Sequence, residues 1–116
     1  MATFSCQTEE QGKVYVIRST GYLDELGGAS VQQHVLDALP KGFRHFVLNF
    51  AQSPVINSQG IAQLIEVTET VVEEKNGGLA FVGLNELTNG VFKMVGLLKM
   101  GQAFSTEEAA VQSFRV

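Results

Sequence analysis

The five residues Phe46-Val47-Leu48-Asn49-Phe50 constrain this chain most, because apolar side chains there occupy both faces of the pleat. A strand of that kind is stable only when both its faces are covered, so it predicts a central strand with helices packed on each side. The next feature sharpens the reading. After a short polar turn, Ile61, Leu64, Ile65, Thr68, Val71 and Val72 recur at helical spacing, while Gln63, Glu66, Glu69 and Glu73 fall on other faces. That pattern predicts one amphipathic helix of about four turns, stopped by Asn76-Gly77-Gly78, a good left-handed terminus. Glu66, Glu69, Glu73 and Glu74 read as its solvated face. Between strand and helix lies Asn57-Ser58-Gln59-Gly60, which places the Ser58 hydroxyl at or next to the helix N-cap, where a serine oxygen ordinarily accepts from an unpaired backbone N–H.

Punctuation organises the remainder. Phe4 to Thr8 and Lys13 to Thr20 read as two strands joined at Glu9-Glu10-Gln11-Gly12. An apolar stripe of Val31, Val35, Leu36 and Leu39 predicts a helix starting near Gly27-Gly28 and ending at Pro40-Lys41-Gly42. Leu79 to Gly83 reads as a buried strand, Glu86 to Leu98 as a helix and Gln102-Ala103-Phe104 as a short final strand. Ser105 and Glu108 have the spacing of a capping box opening a last helix that turns Ala110, Val111 and Phe114 inward. Strands alternating with helices, without an internal repeat or linker, indicate one α/β domain with a mixed sheet across residues 1–116. At 116 residues, 45% hydrophobic with two prolines, the chain is long enough to build its own core.

Several chemistries are absent from the sequence. Cys6 is the only cysteine, expected as a small apolar residue on the first strand, so neither an intrachain disulfide nor a cysteine metal cluster is expected. There is no phosphate-binding P-loop, dinucleotide fingerprint or H-E-x-x-H pair. His34, expected on the exposed side of its helix, and His45, at the start of the central strand, are unpaired in sequence with any nucleophile. Asp24 and Glu25 sit where acids ordinarily cap helices or meet solvent. A net charge of −4 with eight scattered Lys and Arg argues against nucleic acid as a partner. Met1-Ala2-Thr3-Phe4-Ser5 has no basic segment leading into an apolar stretch, and no window approaches a membrane helix, so a cytoplasmic protein without membrane insertion is expected.

Four segments, taken in order from Lys13 to Phe114, resemble the STAS domain family and within it the bacterial anti-sigma factor antagonists. They are Val14 to Asp24, which contains Gly21-Tyr22-Leu23-Asp24 like the family's G-x-L-D; Phe46 to Phe50, like its central strand; Ile56-Asn57-Ser58-Gln59-Gly60-Ile61, similar to its D-S-[ST]-G-[LI] signature; and Val91 to Leu97, similar to its late helix. Asn57 stands where the family usually has aspartate, and Gln59 replaces its second small hydroxyl residue; asparagine still caps helices, so the local fold tolerates the exchange.

The resemblance implies a single STAS-like α/β domain with a mixed β-sheet of about five strands and about four helices. It implies a regulatory protein, not an enzyme, needing no cofactor or metal of its own. Its partner would be a kinase-type anti-sigma factor that binds the ATP, phosphorylates Ser58 and is opposed by a serine phosphatase. Asp24, Asn57, Ser58, Gln59, Gly60 and Ile61 would form the partner-binding surface, on a protein that is monomeric between binding events. Two alternatives stay open: a non-phosphorylated STAS docking subunit of a larger complex, of lipid-transport or stressosome type, and a small-ligand or nucleotide sensor. Met94, Leu97, Leu98 and Met100 form an apolar cluster that reads first as a helix packed on the sheet, and any of them exposed near Ser58 would extend a docking patch.

Overall fold

The computed structural model describes residues 4–115; residues 1–3, on which the reading of the N-terminus partly rests, lie outside it. Its sheet has five strands in the order β1-β2-β3-β4-β5: β1 (Ser5–Gln11), β2 (Val14–Thr20), β3 (His45–Gln52), β4 (Gly78–Val82) and β5 (Gln102–Phe104). β1 pairs antiparallel with β2, and every later pair is parallel, so the sheet is mixed as the sequence indicates. The parallel strands are laid down in one lateral direction, and right-handed crossovers then put all their connecting helices on one face.

That face carries α1 (Glu25–Ala38), α2 (Ser58–Thr68), α3 (Glu86–Met94) and the short α4 (Leu97–Met100); the other face is left to α5 (Glu107–Ser113). Side-chain size follows the division. Tyr15, Ile17, Phe46, Leu48, Phe50, Leu79 and Phe81 point into the thick core under the crossover helices. Their alternates Val14, Val16, Val47, Ala80 and Val82 meet only Ala110 and Val111 of α5, flanked by Phe104 and Phe114. The doubly covered β3 is therefore as expected, with a large layer on one side and a thin one on the other.

The thin layer is held by charge as well as by burial. Arg18 of β2 donates from Nε to both carboxylate oxygens of Glu107, at 2.9 and 3.0 Å, and its second nitrogen bridges Glu9 of β1 at 2.8 Å. Asn49 of β3 donates to the same Glu107 at 3.2 Å. These bonds hold the Arg18 guanidinium protonated well above its usual range, Glu107 contributing most.

Several boundaries differ from the sequence reading. β1 runs on through Glu9 to Gln11, so the hairpin loop is only Gly12-Lys13; Gly12 adopts φ +64°, and two such residues suffice to reverse a twisted pair. α1 begins at Glu25, two residues before Gly27, because the Asp24 carboxylate accepts from the Gly27 N–H at 2.9 Å and fixes the first turn. Leu36 is exposed, and Ala38 takes its expected place in the core. The central helix is not one α-helix: past Thr68 it widens into a π-helix over Glu69–Glu74. Thr68 donates its hydroxyl to the Leu64 carbonyl at 2.8 Å, the back-bonding that competes with an α ladder, at the point where the ladder changes.

Asn76, with φ +55°, takes the left-handed residue ahead of the two glycines. The helix expected over Glu86–Leu98 is two, broken where Gly96 adopts φ +86°. Ser105 does not cap α5: Thr106 does, accepting from the Ala109 N–H at 3.2 Å, which makes Glu107 the first helical residue, within reach of Arg18. Phe114 is half-buried and stacks on His45 with ring centroids 4.7 Å apart.

Truncating the latch tests its weight. Glu107→Ala removes three hydrogen bonds to partly buried partners and should cost about 1–2 kcal/mol in urea unfolding, with more lost at low salt than at high.

Candidate functional site

Three helices start where β2, β3 and β4 end, so their N-termini share one end of the sheet. Each is capped by the residue before it. Asp24 accepts from Gly27 N–H, Asn57 Oδ1 accepts from Gly60 N–H at 2.8 Å, and Asn85 Oδ1 accepts from Thr88 N–H at 2.8 Å, with Thr88 Oγ1 accepting in return from Asn85 N–H.

The loops leading to α1 and α2 are zipped together. Gly21 N–H donates to Gln52, Leu23 N–H to Val55 and Asn57 N–H to the Leu23 carbonyl at 3.1 Å, so the β2–β3 pairing continues past the strands to an isolated Leu23–Ile56 bridge. α2 then passes so close that a Cβ on Gly60 would stand 2.4 Å from the Leu23 carbonyl oxygen; one on Gly28 would stand 2.6 Å from Gln63 Cβ. The two glycines permit the contact, and the buried Leu23 fills it. Asn85 ties the third loop in by donating to the Pro54 carbonyl at 2.9 Å.

Ser58 stands at the middle of this end as the first helical residue, not the cap. Asn57 makes the capping bond, which leaves the Ser58 side chain exposed with Gln59 beside it. Its hydroxyl sits over the first turn of α2, where backbone N–H groups lack helical acceptors and the helix dipole is positive. The residues expected at the surface divide: Asp24 and Asn57 are half-buried caps, Ser58 and Gln59 face solvent, and Gly60 and Ile61 are buried and support the turn from beneath. Asp24 and Ser58 lie on loops joined through Leu23, whose carbonyl accepts from the Asn57 N–H.

Sequence reasoning missed four apolar residues around this turn. Tyr22 (51% exposed) and Leu26 (78%) flank Asp24, Val55 (53%) precedes Asn57, and Leu87 (72%) lies in the first turn of α3. Only the loop pairing marks them as one surface; in sequence Leu26 and Leu87 look like core positions. The three loops and first turns also carry Asp24, Glu25 and Glu86 and no Lys or Arg. Of the expected methionine and leucine cluster, Leu97 is core and Met94 is exposed at 84%.

Catalytic groups are not assembled here. His34 is half-buried on α1, and His45 is held against Phe114 at the far end of β3. Cys6 lies half-buried on β1 as expected, and burial pushes its thiol up, away from thiolate reactivity. Among the described residues no three of His, Cys, Asp or Glu gather as a metal site, and no helix is long and apolar enough to cross a membrane.

The family model for the STAS domain matches residues 5–110. Among solved structures, an anti-sigma factor antagonist from Mycobacterium paratuberculosis superposes with a TM-score of 0.83 at 18% identity, covering 98% of this chain and 96% of that one. The phosphorylated form of the Bacillus cell fate determinant SpoIIAA gives 0.75 at 21% identity, covering 95% and 99%. A sulfate transporter family protein from Wolinella succinogenes gives 0.75 at 23% identity, covering 89% and 85%. At these identities the likeness is one of fold.

The division of labour at the turn has a measurable consequence. Asn57→Ala should cost about 1 kcal/mol in urea or thermal unfolding, the usual worth of an N-cap, whereas Ser58→Ala should stay within about 0.5 kcal/mol of the parent. Gly60→Ala should cost about 2 kcal/mol or more, since its new methyl meets backbone that cannot move aside.

Proposed function

The chain belongs to the STAS domain family, and we propose that it is an anti-sigma factor antagonist-like regulator that binds a kinase-type anti-sigma factor and is controlled by reversible phosphorylation of Ser58. One observation carries the reading: Ser58 is exposed on a helix first turn whose capping is done by Asn57, so its hydroxyl is available for chemistry without cost to the fold.

In this reading the chain is a kinase substrate and binding module in the cytoplasm, not an enzyme, and contributes only the hydroxyl to the transfer. The Ser58 oxygen attacks the γ-phosphorus of ATP held by the partner, its proton passes to a partner base, and ADP leaves. The product carries about −1.5 to −2 charge, which the α2 dipole and the open N–H groups tolerate. The fold is unchanged; the interface is not.

Unmodified, the turn offers a partner Tyr22, Leu26, Val55 and Leu87 as apolar contacts around a neutral hydroxyl. With phosphate in place, the partner must desolvate a dianion among Asp24, Glu25 and Glu86, beside loops and first turns that carry no Lys or Arg. A charge buried without a counter-charge costs several kcal/mol, enough to separate the complex. A serine phosphatase would restore the binding form.

The exchange of aspartate for Asn57 and of a hydroxyl residue for Gln59 favours a second reading, in which the same surface is a permanent docking contact in a larger assembly. Intact mass and site mapping of protein from its native host, across growth and stress conditions, separates the two. The first reading expects one condition-dependent phosphate on Ser58, lost in Ser58→Ala, and partner affinity lowered by about tenfold or more in Ser58→Glu. Lasting absence of phosphate, with Ser58→Glu binding as the parent does, establishes the permanent contact instead.

A further inference from the structure

α3 turns an unusual face to solvent. Thr88 and Phe92 are its buried residues, and on a helix of 3.6 residues per turn the position opposite them is Gly90. A Cβ there would meet nothing within 4 Å, and the residue lies mid-helix, so neither packing nor a turn explains a glycine that weakens the helix.

The flanks of Gly90 differ. One edge carries Leu87, Val91 and Met94, with Leu87 and Met94 among the most exposed apolar side chains of the protein. The other carries Glu86, Asn89 and Lys93, all exposed. Glu86 and Lys93 are two turns apart, too far to pair with each other, and neither joins an ion pair among the described residues.

We infer that this face pairs with the same face of a second copy, α3 against α3, antiparallel about a twofold axis at Gly90. The symmetry selects the partner. A twofold axis across two antiparallel helices keeps left with left and right with right while reversing direction, so the apolar edge meets the apolar edge and the charged edge meets the charged edge. Leu87 then lies against Met94 of the second copy, twice, with Val91 near the axis. Glu86 lies against Lys93 of the second copy, also twice. A parallel pairing, about an axis along the helices, would exchange the edges and set Glu86 and Lys93 against Leu87 and Met94 of the second copy, leaving both charges without a counter-charge. At the axis, two glycines allow the backbones to approach as closely as small residues permit at helix crossings.

The contact is short, nine residues or roughly 13 Å of helix, so the dimer is weak. It goes beyond the proposed switch and does not depend on Ser58. Because Leu87 borders both surfaces, self-association and partner docking compete.

Sedimentation equilibrium of the full chain at low salt, from about 10 µM to 1 mM, tests it. The expected result is a reversible monomer–dimer equilibrium, unchanged in Ser58→Ala and lost in Gly90→Glu, which places a charged side chain on the axis in both copies while meeting nothing in the monomer. Glu86→Lys should raise Kd about tenfold by opposing Lys93, and the double variant Glu86→Lys/Lys93→Glu should restore it. Circular dichroism confirms that each variant is folded. A single monomeric species throughout the series overturns the inference, as does a dimer indifferent to Gly90→Glu. Failure of the double variant to recover overturns the antiparallel register. None of these outcomes bears on phosphate at Ser58.

Discussion

The contact between Leu23 and the first turn of α2 is the constraint on which the rest of this structure depends. Two parallel strands ordinarily diverge into their loops, but here backbone hydrogen bonds continue from Gly21 through Leu23 to Asn57, and Gly60 then admits the Leu23 carbonyl at a distance no side chain would allow. α1 and α2 are thereby locked at their starts, Gly28 against Gln63, and the Ser58 turn is held by buried residues beneath it and by the Asn57 cap, not by the Ser58 side chain. An exposed position on a rigid base is what a recognition surface needs, because little ordering remains to be done when a partner binds.

Topology sets the second condition. Because the parallel strands advance in one direction, the crossover helices crowd one face, and their N-termini emerge together at one end. The opposite face has only seven residues of α5 to cover it, and the strand residues that meet α5 are small. Area alone holds such a helix poorly. Arg18, Glu9, Asn49 and Glu107 supplement it with hydrogen bonds joining β1, β2 and β3 to the α5 N-terminus, and the first-turn position of Glu107 favours its charge.

A consistent separation of tasks runs through the end that bears Ser58. Asp24, Asn57 and Asn85 do the capping, Leu23 and Ile61 the packing, and Ser58 and Gln59 neither. Local structure therefore does not depend on what happens to the Ser58 hydroxyl, and a modification there can change what the surface binds without changing how the domain folds. Asn57 keeps the cap while removing a negative charge from beside the hydroxyl, a substitution to which the fold is indifferent and a partner need not be. The apolar rim of Tyr22, Leu26, Val55 and Leu87 points the same way, since none of the four is needed by the core.

Periodicity and punctuation by themselves determined the element order, the central β3, the amphipathic α2 and the position of Ser58 at a helix start, since each depends on residues close in the chain. They misplaced what is settled by distant partners. Gly27 and Gly28 read as the helix start, yet they lie within α1, where Phe4 and Gln63 occupy the space their side chains would need. Ser105 and Glu108 have capping-box spacing, yet Thr106 caps α5 and Glu107 meets Arg18, 89 residues away. Likewise Leu26, Leu87 and Met94 carry the composition of a core and face solvent. Hydrophobic periodicity records which residues can be buried; which ones are, and which remain to meet another surface, is decided only when the helices have packed and one face of each has run out of partners.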